Sequence, residues 1–232
     1  MTEFLVGTVA VLAALALFQI FFLRGPDLRR FDNATGERFG AGRAPSAGHQ
    51  AVVHSLGGIS TALRQMPRQA HLAWLRRYMD TAFPVDDPAL RILPVDAGGV
   101  KAEWVLAPGV DPRRRLLYIH GGAWIMGSPL SHRRLTAKFS EVANAAVLAI
   151  DYRLMPEHPR QAGIDDCRSA WRWMQDHGPD GAAPASATYV AGDSAGGNLA
   201  LSLIAWVRDQ GLRAPDAAVA LSPATDGTLG SP

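Results

Sequence analysis

Tyr189-Val190-Ala191-Gly192-Asp193-Ser194-Ala195-Gly196-Gly197-Asn198 is the stretch that decides how the rest of the chain is read. Its first residues, Tyr189–Ala191, are apolar and lead straight into Gly-x-Ser-x-Gly at Gly192, Ser194 and Gly196. Ala195, Leu199, Leu203 and Val207 then recur at helical spacing, with Ala200 and Ile204 beside them. The pattern is strand, sharp turn, helix. A serine at the apex of such a turn takes strained dihedrals, and glycines two residues to either side leave room for the tight turn and for close strand–helix packing. The turn lifts the hydroxyl off the sheet edge. It also points the Ala195 N–H, at a helix N-terminus, toward any oxyanion formed there. Ser194 is the candidate nucleophile, and a plain Gly-rich helix start is the bland alternative.

Working outward, 232 residues are enough for one large α/β domain with a large core. A hydrophobic content of 48% and a charged content of 19% indicate a globular chain rather than a disordered one. The net charge is only +2, and Lys101 and Lys138 are the sole lysines among 23 Lys and Arg. No basic stripe with interleaved aromatics accompanies them, so nucleic-acid binding is not expected. Cys167 is the only cysteine, which rules out an intrachain disulfide and a Cys-based metal cluster. Its helical neighbours Ile164, Ala170 and Trp171 make it a small core residue.

Phe4–Leu23 is interrupted only by Thr8 and Gln19 among its polar residues. Twenty residues at ~1.5 Å each reach ~30 Å, the hydrocarbon thickness of a bilayer. The start lacks a basic n-region and the run lacks a small-x-small cleavage site, so an uncleaved anchor over residues 1–24 is expected, contacting the lipid bilayer through 4–23. Arg24, Arg29 and Arg30 follow it while Glu3 precedes it, which by the positive-inside tendency puts the main domain on the cytoplasmic side. Residues 25–48 read as a linker rich in Gly, Arg and polar residues. Residues 49–82 carry two helical patterns broken at Pro67, and read as a cap or lid, or a membrane-proximal collar. His49, His54 and His71 on those helices read as satisfied or solvated.

Residues 83–232 read as an α/β domain. Leu90–Val95 and Val100–Leu106 are predicted strands joined by Asp96-Ala97-Gly98-Gly99, a hairpin signal. Asp111–Arg115 is read as a solvated turn, and Leu116–Ile119 as a short strand buried on both faces. A helix over Leu130–Ala143, a buried strand Ala146–Ile150, a helix Asp165–Asp176, the elbow and its helix, and a last buried strand Ala217–Leu221 follow. Alternation from the third strand onward argues a mostly parallel sheet with right-handed crossovers.

A second chemical element follows the Leu116–Ile119 strand directly: His120-Gly121-Gly122-Ala123-Trp124. Adjacent glycines let backbone N–H groups face a small volume instead of pairing in a ladder. Acyl transfer needs such donors at the developing oxyanion, where removing one typically costs ~10²–10³ in rate. An ordinary turn is the competing reading of this segment alone, and the downstream elbow one strand–helix repeat away weighs against it.

With these two elements and Asp151-Tyr152-Arg153-Leu154-Met155-Pro156-Glu157-His158-Pro159 in chain order, the sequence resembles the hormone-sensitive-lipase-like branch of the α/β-hydrolases, which includes bacterial carboxylesterases and arylacetamide deacetylase. The resemblance covers roughly residues 90–232. It implies a carboxylic-ester hydrolase acting through an acyl-enzyme on small acyl-ester substrates. Ser194 is implied as nucleophile, and the N–H groups of Gly121, Gly122 and Ala195 as the oxyanion hole. His120, Ala123, Gly192, Asp193, Gly196 and Gly197 support the motifs, with His120 holding the loop and Asp193 holding the elbow. Ala123 stands where many members carry a third glycine, and its N–H survives the change. The 151–159 segment is implied to be a structural turn beneath the site, with His158 a weak candidate for ligand or base. This chemistry needs no metal or organic cofactor, and no ligand cluster suggests one.

A serine hydroxyl is a weak nucleophile without a base, and in α/β-hydrolases the triad runs Ser, Asp or Glu, then His. All seven histidines precede Ser194. Asp226 falls outside the triad-acid segment of the family. The expectation is therefore the front part of a longer esterase, with this chain alone inactive or nearly so. A catalytically dead binding or scaffold module is the alternative, and a working enzyme that recruits an upstream or second-chain histidine is a third. Acyl chain length, physiological substrate and oligomeric state are not legible in the residues.

Overall fold

Among the described residues six strands form the central sheet, in the spatial order Arg91–Asp96, Lys101–Leu106, Ala145–Ile150, Asp111–Ile119, Ala187–Asp193, Ala217–Leu221. The computed structural model describes residues 2–19, 21 and 43–226. The chain divides into two compact units, residues 1–57 and 58–232.

In the first unit, α1 (Thr2–Phe18) is an apolar helix of 17 residues. Val11, Leu12, Leu15, Leu17 and Phe18 are exposed on it, as is Phe21 beyond it. Among the described residues no helix is long and apolar enough to cross a membrane, and the expected span over 4–23 falls partly outside those residues. Residues 22–42, which hold the end of that predicted span and most of the predicted linker, lie outside the described residues. α2 (Ala47–Arg64) follows and runs past residue 57 into the second unit.

The second unit continues with α3 (Arg68–Ala82), then the hairpin β1 (Arg91–Asp96) and β2 (Lys101–Leu106). Gly98 and Gly99 turn that hairpin at φ 70° and 89°, a region open to glycine at little cost. β3 (Asp111–Ile119) leads through a 3₁₀ turn (Leu130–His132) to α4 (Arg133–Ala143), and then to β4 (Ala145–Ile150). α5 (Arg160–Asp176), a two-residue ribbon of β5 (His177–Gly178) and β6 (Gly181–Ala182), β7 (Ala187–Asp193), α6 (Ser194–Asp209) and β8 (Ala217–Leu221) complete it. β3 pairs parallel with both β4 and β7, and β7 parallel with β8; the hairpin joins antiparallel through β2 and β4. The expected mostly parallel sheet is what forms.

Apolar side chains alternate across β3 because successive residues of a strand face opposite ways. Leu117 and Ile119 join Leu148, Ile150, Trp171, Leu199 and Leu203 in the larger core layer. Leu116 and Tyr118 join Val105 and Val147 in the smaller one, against Phe139. All six residues of β4 are buried, as a strand covered on both faces requires. Cys167 is buried in the larger layer, as its neighbours suggested.

Two readings are corrected. Asp111–Arg115 is not a solvated turn but the first half of β3. Arg115 is 1% exposed, and its guanidinium donates to the carbonyls of Met174 (2.8 Å), Gln175 (3.2 Å) and Ala183 (2.7 Å). Two acceptors at the C-terminus of α5 and a third at Ala183 make that burial tolerable, and periodicity alone gives no sign of it. β8, read as buried, pairs on one side only among the described residues, with Val219 and Leu221 both exposed.

Candidate active site

β7 ends at Asp193 and α6 begins at Ser194 with no loop between them. Ser194 takes φ 51°, a left-handed conformation costly for any residue with a Cβ. Such strain persists where packing over-determines it. Here Gly196 packs so closely on the carbonyls of Ile119 and His120 that no Cβ fits. Gly192 is likewise crowded by the backbone of Gly196, and Gly197 lies tight against Pro223. Ala195, Gly196 and Gly197 are buried while Ser194 is exposed. The elbow therefore presents its hydroxyl outward on a rigid base. Ala195 lies in the first turn of α6, where backbone N–H groups have no intrahelical acceptor.

The His120–Trp124 loop leaves the end of β3, beside that elbow, because β3 and β7 are neighbours in register from Arg114↔Ala187 to Ile119↔Gly192. Gly122, Ala123 and Trp124 all have positive φ, at 122°, 54° and 61°. Ile125 N–H and Met126 N–H both donate to the Gly122 carbonyl (3.1 and 3.0 Å), and Met155 N–H donates to that of Trp124 (2.9 Å). Asp193 ties the two elements together. Its Oδ1 accepts from Tyr118 O–H (2.8 Å) and from the Gly121 N–H (3.0 Å), and its Oδ2 lies 3.5 Å from His132 Nε2. Burial alone would raise the Asp193 pKa. The His132, Tyr118 and Gly121 donors outweigh burial and bring it below the usual carboxylate value.

Gly121 is thereby corrected as an oxyanion donor: its N–H is engaged by Asp193, one residue before the nucleophile. Among the described residues the loop N–H groups that carry no hydrogen-bond partner are those of Gly122, Ala123 and Trp124. The local sequence held no sign of this, because any of three consecutive N–H groups could face the same volume.

His120 is buried and stacks on Tyr152 at 4.3 Å, with Nδ1 2.7 Å from the Gly121 carbonyl. Burial, with nearby His132 adding to it, pulls its pKa down to about 3, so the ring is neutral and structural. The Tyr152 hydroxyl donates to the His120 carbonyl (2.9 Å). Arg153 forks onto Asp166, with Nη2 2.6 Å from Oδ1 and its own N–H 2.8 Å from Oδ2. The 151–159 turn thus underpins the loop. His158 lies exposed on that turn, beside a cleft of about 520 Å³ lined by Arg76, Lys101, Asp151 and Arg153, which contains none of the elbow residues. Two partners of Asp193, Tyr118 and His132, were not singled out from the sequence; only the pairing of β3 with β7 and the turn before α4 bring them to it. Among the described residues no group of three or more His, Cys, Asp or Glu could hold a metal ion.

A sheet of this order with a serine elbow at the end of β7 is the architecture of an α/β-hydrolase. A family model described as alpha/beta hydrolase fold matches residues 116–231, half of the chain, and the chain belongs to that family. Within it the similarity is to hormone-sensitive-lipase-like esterases. An esterase from the bacterial hormone-sensitive lipase family superposes with a TM-score of 0.67 at 34% identity, over 79% of this chain and 59% of its own. An esterase/lipase from an uncultured bacterium does so at 0.63 and 38%, over 69% and 53%. An acetyl-hydrolase of Streptomyces hygroscopicus is 42% identical over 57% of this chain and 42% of its own length. The esterase LipU of Mycobacterium tuberculosis is 38% identical over 66% and 52%. The chain spans about half the length, or less, of the curated relatives it matches.

Proposed function

We propose that this chain carries the nucleophile and oxyanion half of a carboxylic-ester hydrolase. The observation that carries the reading is the joining of the strained, exposed Ser194 to the glycine loop through Asp193. The names of the relatives support the reaction class. In this scheme Ser194 Oγ attacks the acyl carbonyl of a small ester and its proton passes to a base. The N–H groups of Gly122, Ala123 and Ala195 stabilise the oxyanion. Collapse expels the alcohol, which takes up the proton, and leaves an acyl-serine. Water then attacks the acyl-serine, releasing the acid and restoring the hydroxyl.

The general base and its acid partner come, in this reading, from polypeptide outside these 232 residues. Every histidine of the chain precedes the elbow, whereas the triad histidine of an α/β-hydrolase follows its serine. Fluorophosphonate labelling of the native source tests both points. The reading expects a labelled band well above 24.8 kDa that carries this sequence, and no label after Ser194→Ala. A labelled band at 24.8 kDa would refute the external base. Absence of label at any size would favour a binding module with a dead site.

We also infer bilayer association through the apolar stretch 4–23, which presents Leu12, Leu15 and Phe21 to the surroundings. Deleting residues 1–23 should release the protein from membranes. Continued sedimentation with the membrane fraction would refute that inference.

A further inference from the structure

α3 lies in the 49–82 segment expected to form a cap or lid, or a membrane-proximal collar. Its Arg76 reaches into the framework of the oxyanion loop. Arg76 Nε donates to the Ile125 carbonyl (2.8 Å) and Nη2 to the Met155 carbonyl (3.1 Å). Nη1 and Nη2 each donate to one oxygen of Glu157, both at 2.8 Å. One turn along the same helix, Asp80 accepts from Ser128 Oγ at 2.5 Å. Residues 76 and 80 lie on one helix face, so α3 grips the loop at two points, just after its left-handed residues.

The connections run on to the donor that matters. Met155 N–H holds the Trp124 carbonyl, and the Met155 carbonyl is held by Arg76, which also holds Ile125. Ile125 N–H in turn fixes the Gly122 carbonyl, which belongs to the peptide unit carrying the Ala123 N–H. With Ala123 and Trp124 both left-handed, that peptide orientation is not one the segment would keep unaided. Glu157 keeps its charge through any working pH, because the Arg76 bonds bring its pKa down to about 2. The ion pair is largely exposed, with Glu157 52% accessible, so as a source of stability it is weak. Its geometry is what it contributes: a planar fork that a point charge does not reproduce.

We propose that Arg76 is a positioning residue, and that α3 braces the oxyanion loop so that the Gly122 and Ala123 N–H groups are aimed before substrate arrives. The proposal rests on the reading of Ser194 as nucleophile and of these N–H groups as its oxyanion donors. Misplacement of catalytic groups by about 1 Å can cost ~10²-fold in rate.

The test uses the protein expressed from its complete reading frame, with p-nitrophenyl butyrate as substrate. Arg76→Met should lower kcat by roughly ten- to a hundredfold with KM within about twofold. Arg76→Lys, which keeps the charge and loses the fork, should fall between that variant and the parent. In the same proteins, amide hydrogen exchange at Ile125 and Met126 should quicken while Leu116–Ile119 stay protected. A folded Arg76→Met protein with kcat within about twofold of the parent overturns the proposal. If Arg76→Met does not fold, unchanged exchange at Ile125 and Met126 in Arg76→Lys overturns it equally. Ser194→Ala is run alongside. Hydrolysis retained there would refute the nucleophile reading, while the exchange measurement still decides whether Arg76 holds the loop.

Discussion

Replacing Asp193 with alanine removes one carboxylate and disturbs three elements. Tyr118 O–H and Gly121 N–H both donate to its Oδ1, and Tyr118 is 1% exposed, so water does not readily replace the lost acceptor. A buried donor left without a partner costs ~1–3 kcal/mol. Two such donors give a loss of ~2–6 kcal/mol for Asp193→Ala, a large share of the ~5–15 kcal/mol that holds a typical domain together. Asp193→Asn keeps one acceptor oxygen and forfeits only the charge assistance, for a smaller loss of ~1 kcal/mol.

Urea unfolding of parent and both variants, followed by far-UV circular dichroism, reads these differences as shifts in midpoint at constant slope. The pH dependence supplies an independent check. The folded pKa of Asp193 is lowered, so its contribution is fully present above the unfolded value of ~3.9 and is lost as pH falls through the lower folded value. Acidification below about pH 4 should therefore narrow the gap between parent and Asp193→Asn. An Asp193→Ala protein within ~0.5 kcal/mol of the parent would refute the view that this carboxylate ties the elbow to the loop, since that is the scatter of ordinary surface substitutions.

Gly196→Val should prevent the elbow from forming, because a Cβ there meets the carbonyls of Ile119 and His120 rather than movable side chains; overpacking of this kind costs ~1–3 kcal/mol or more, read as a lowered Tm together with loss of fluorophosphonate labelling. Leu148→Ala, at a fully buried position in the middle of β4, should cost ~2–5 kcal/mol in urea unfolding without altering which serine is labelled. Arg115→Met should destabilise by ~1–3 kcal/mol, because the carbonyls of Met174 and Ala183 lose a buried donor, and a neutral result would refute the account of that charge.

How far the fold could be read from the residues depended on how local the cause was. β4, all six residues buried, was predicted as a strand within one residue, because a short apolar run bounded by an asparagine and an aspartate admits few alternatives. The β1–β2 hairpin was legible for the same reason, its two glycines marking the turn. The expected turn over Asp111–Arg115 differs from the observed strand because five residues of turn-like and charged type give no sign that one arginine is swallowed by the carbonyls of Met174 and Ala183 far along the chain. α5 begins five residues ahead of the expected Asp165, since Arg160 and Gln161 carry no apolar spacing and the helix begins simply where Pro159 allows it.

The chemistry divides along the same line. The sequence by itself determined the parts whose cause is a contiguous motif: the serine on its turn, the glycine loop after β3, and the family to which both point. Such motifs are legible because the conformation they need is a property of a few neighbouring residues, namely left-handed backbone, close approach and a helix N-terminus. Only the tertiary structure decided which loop N–H is engaged and which are left to receive charge, because that depends on Asp193 crossing from β7 to the end of β3. It alone brought Tyr118 and His132 to that carboxylate, and Arg76 to the Ile125 carbonyl 49 residues away. Those contacts are made by side chains whose partners are set by strand order and helix docking, and no periodicity in the chain encodes them.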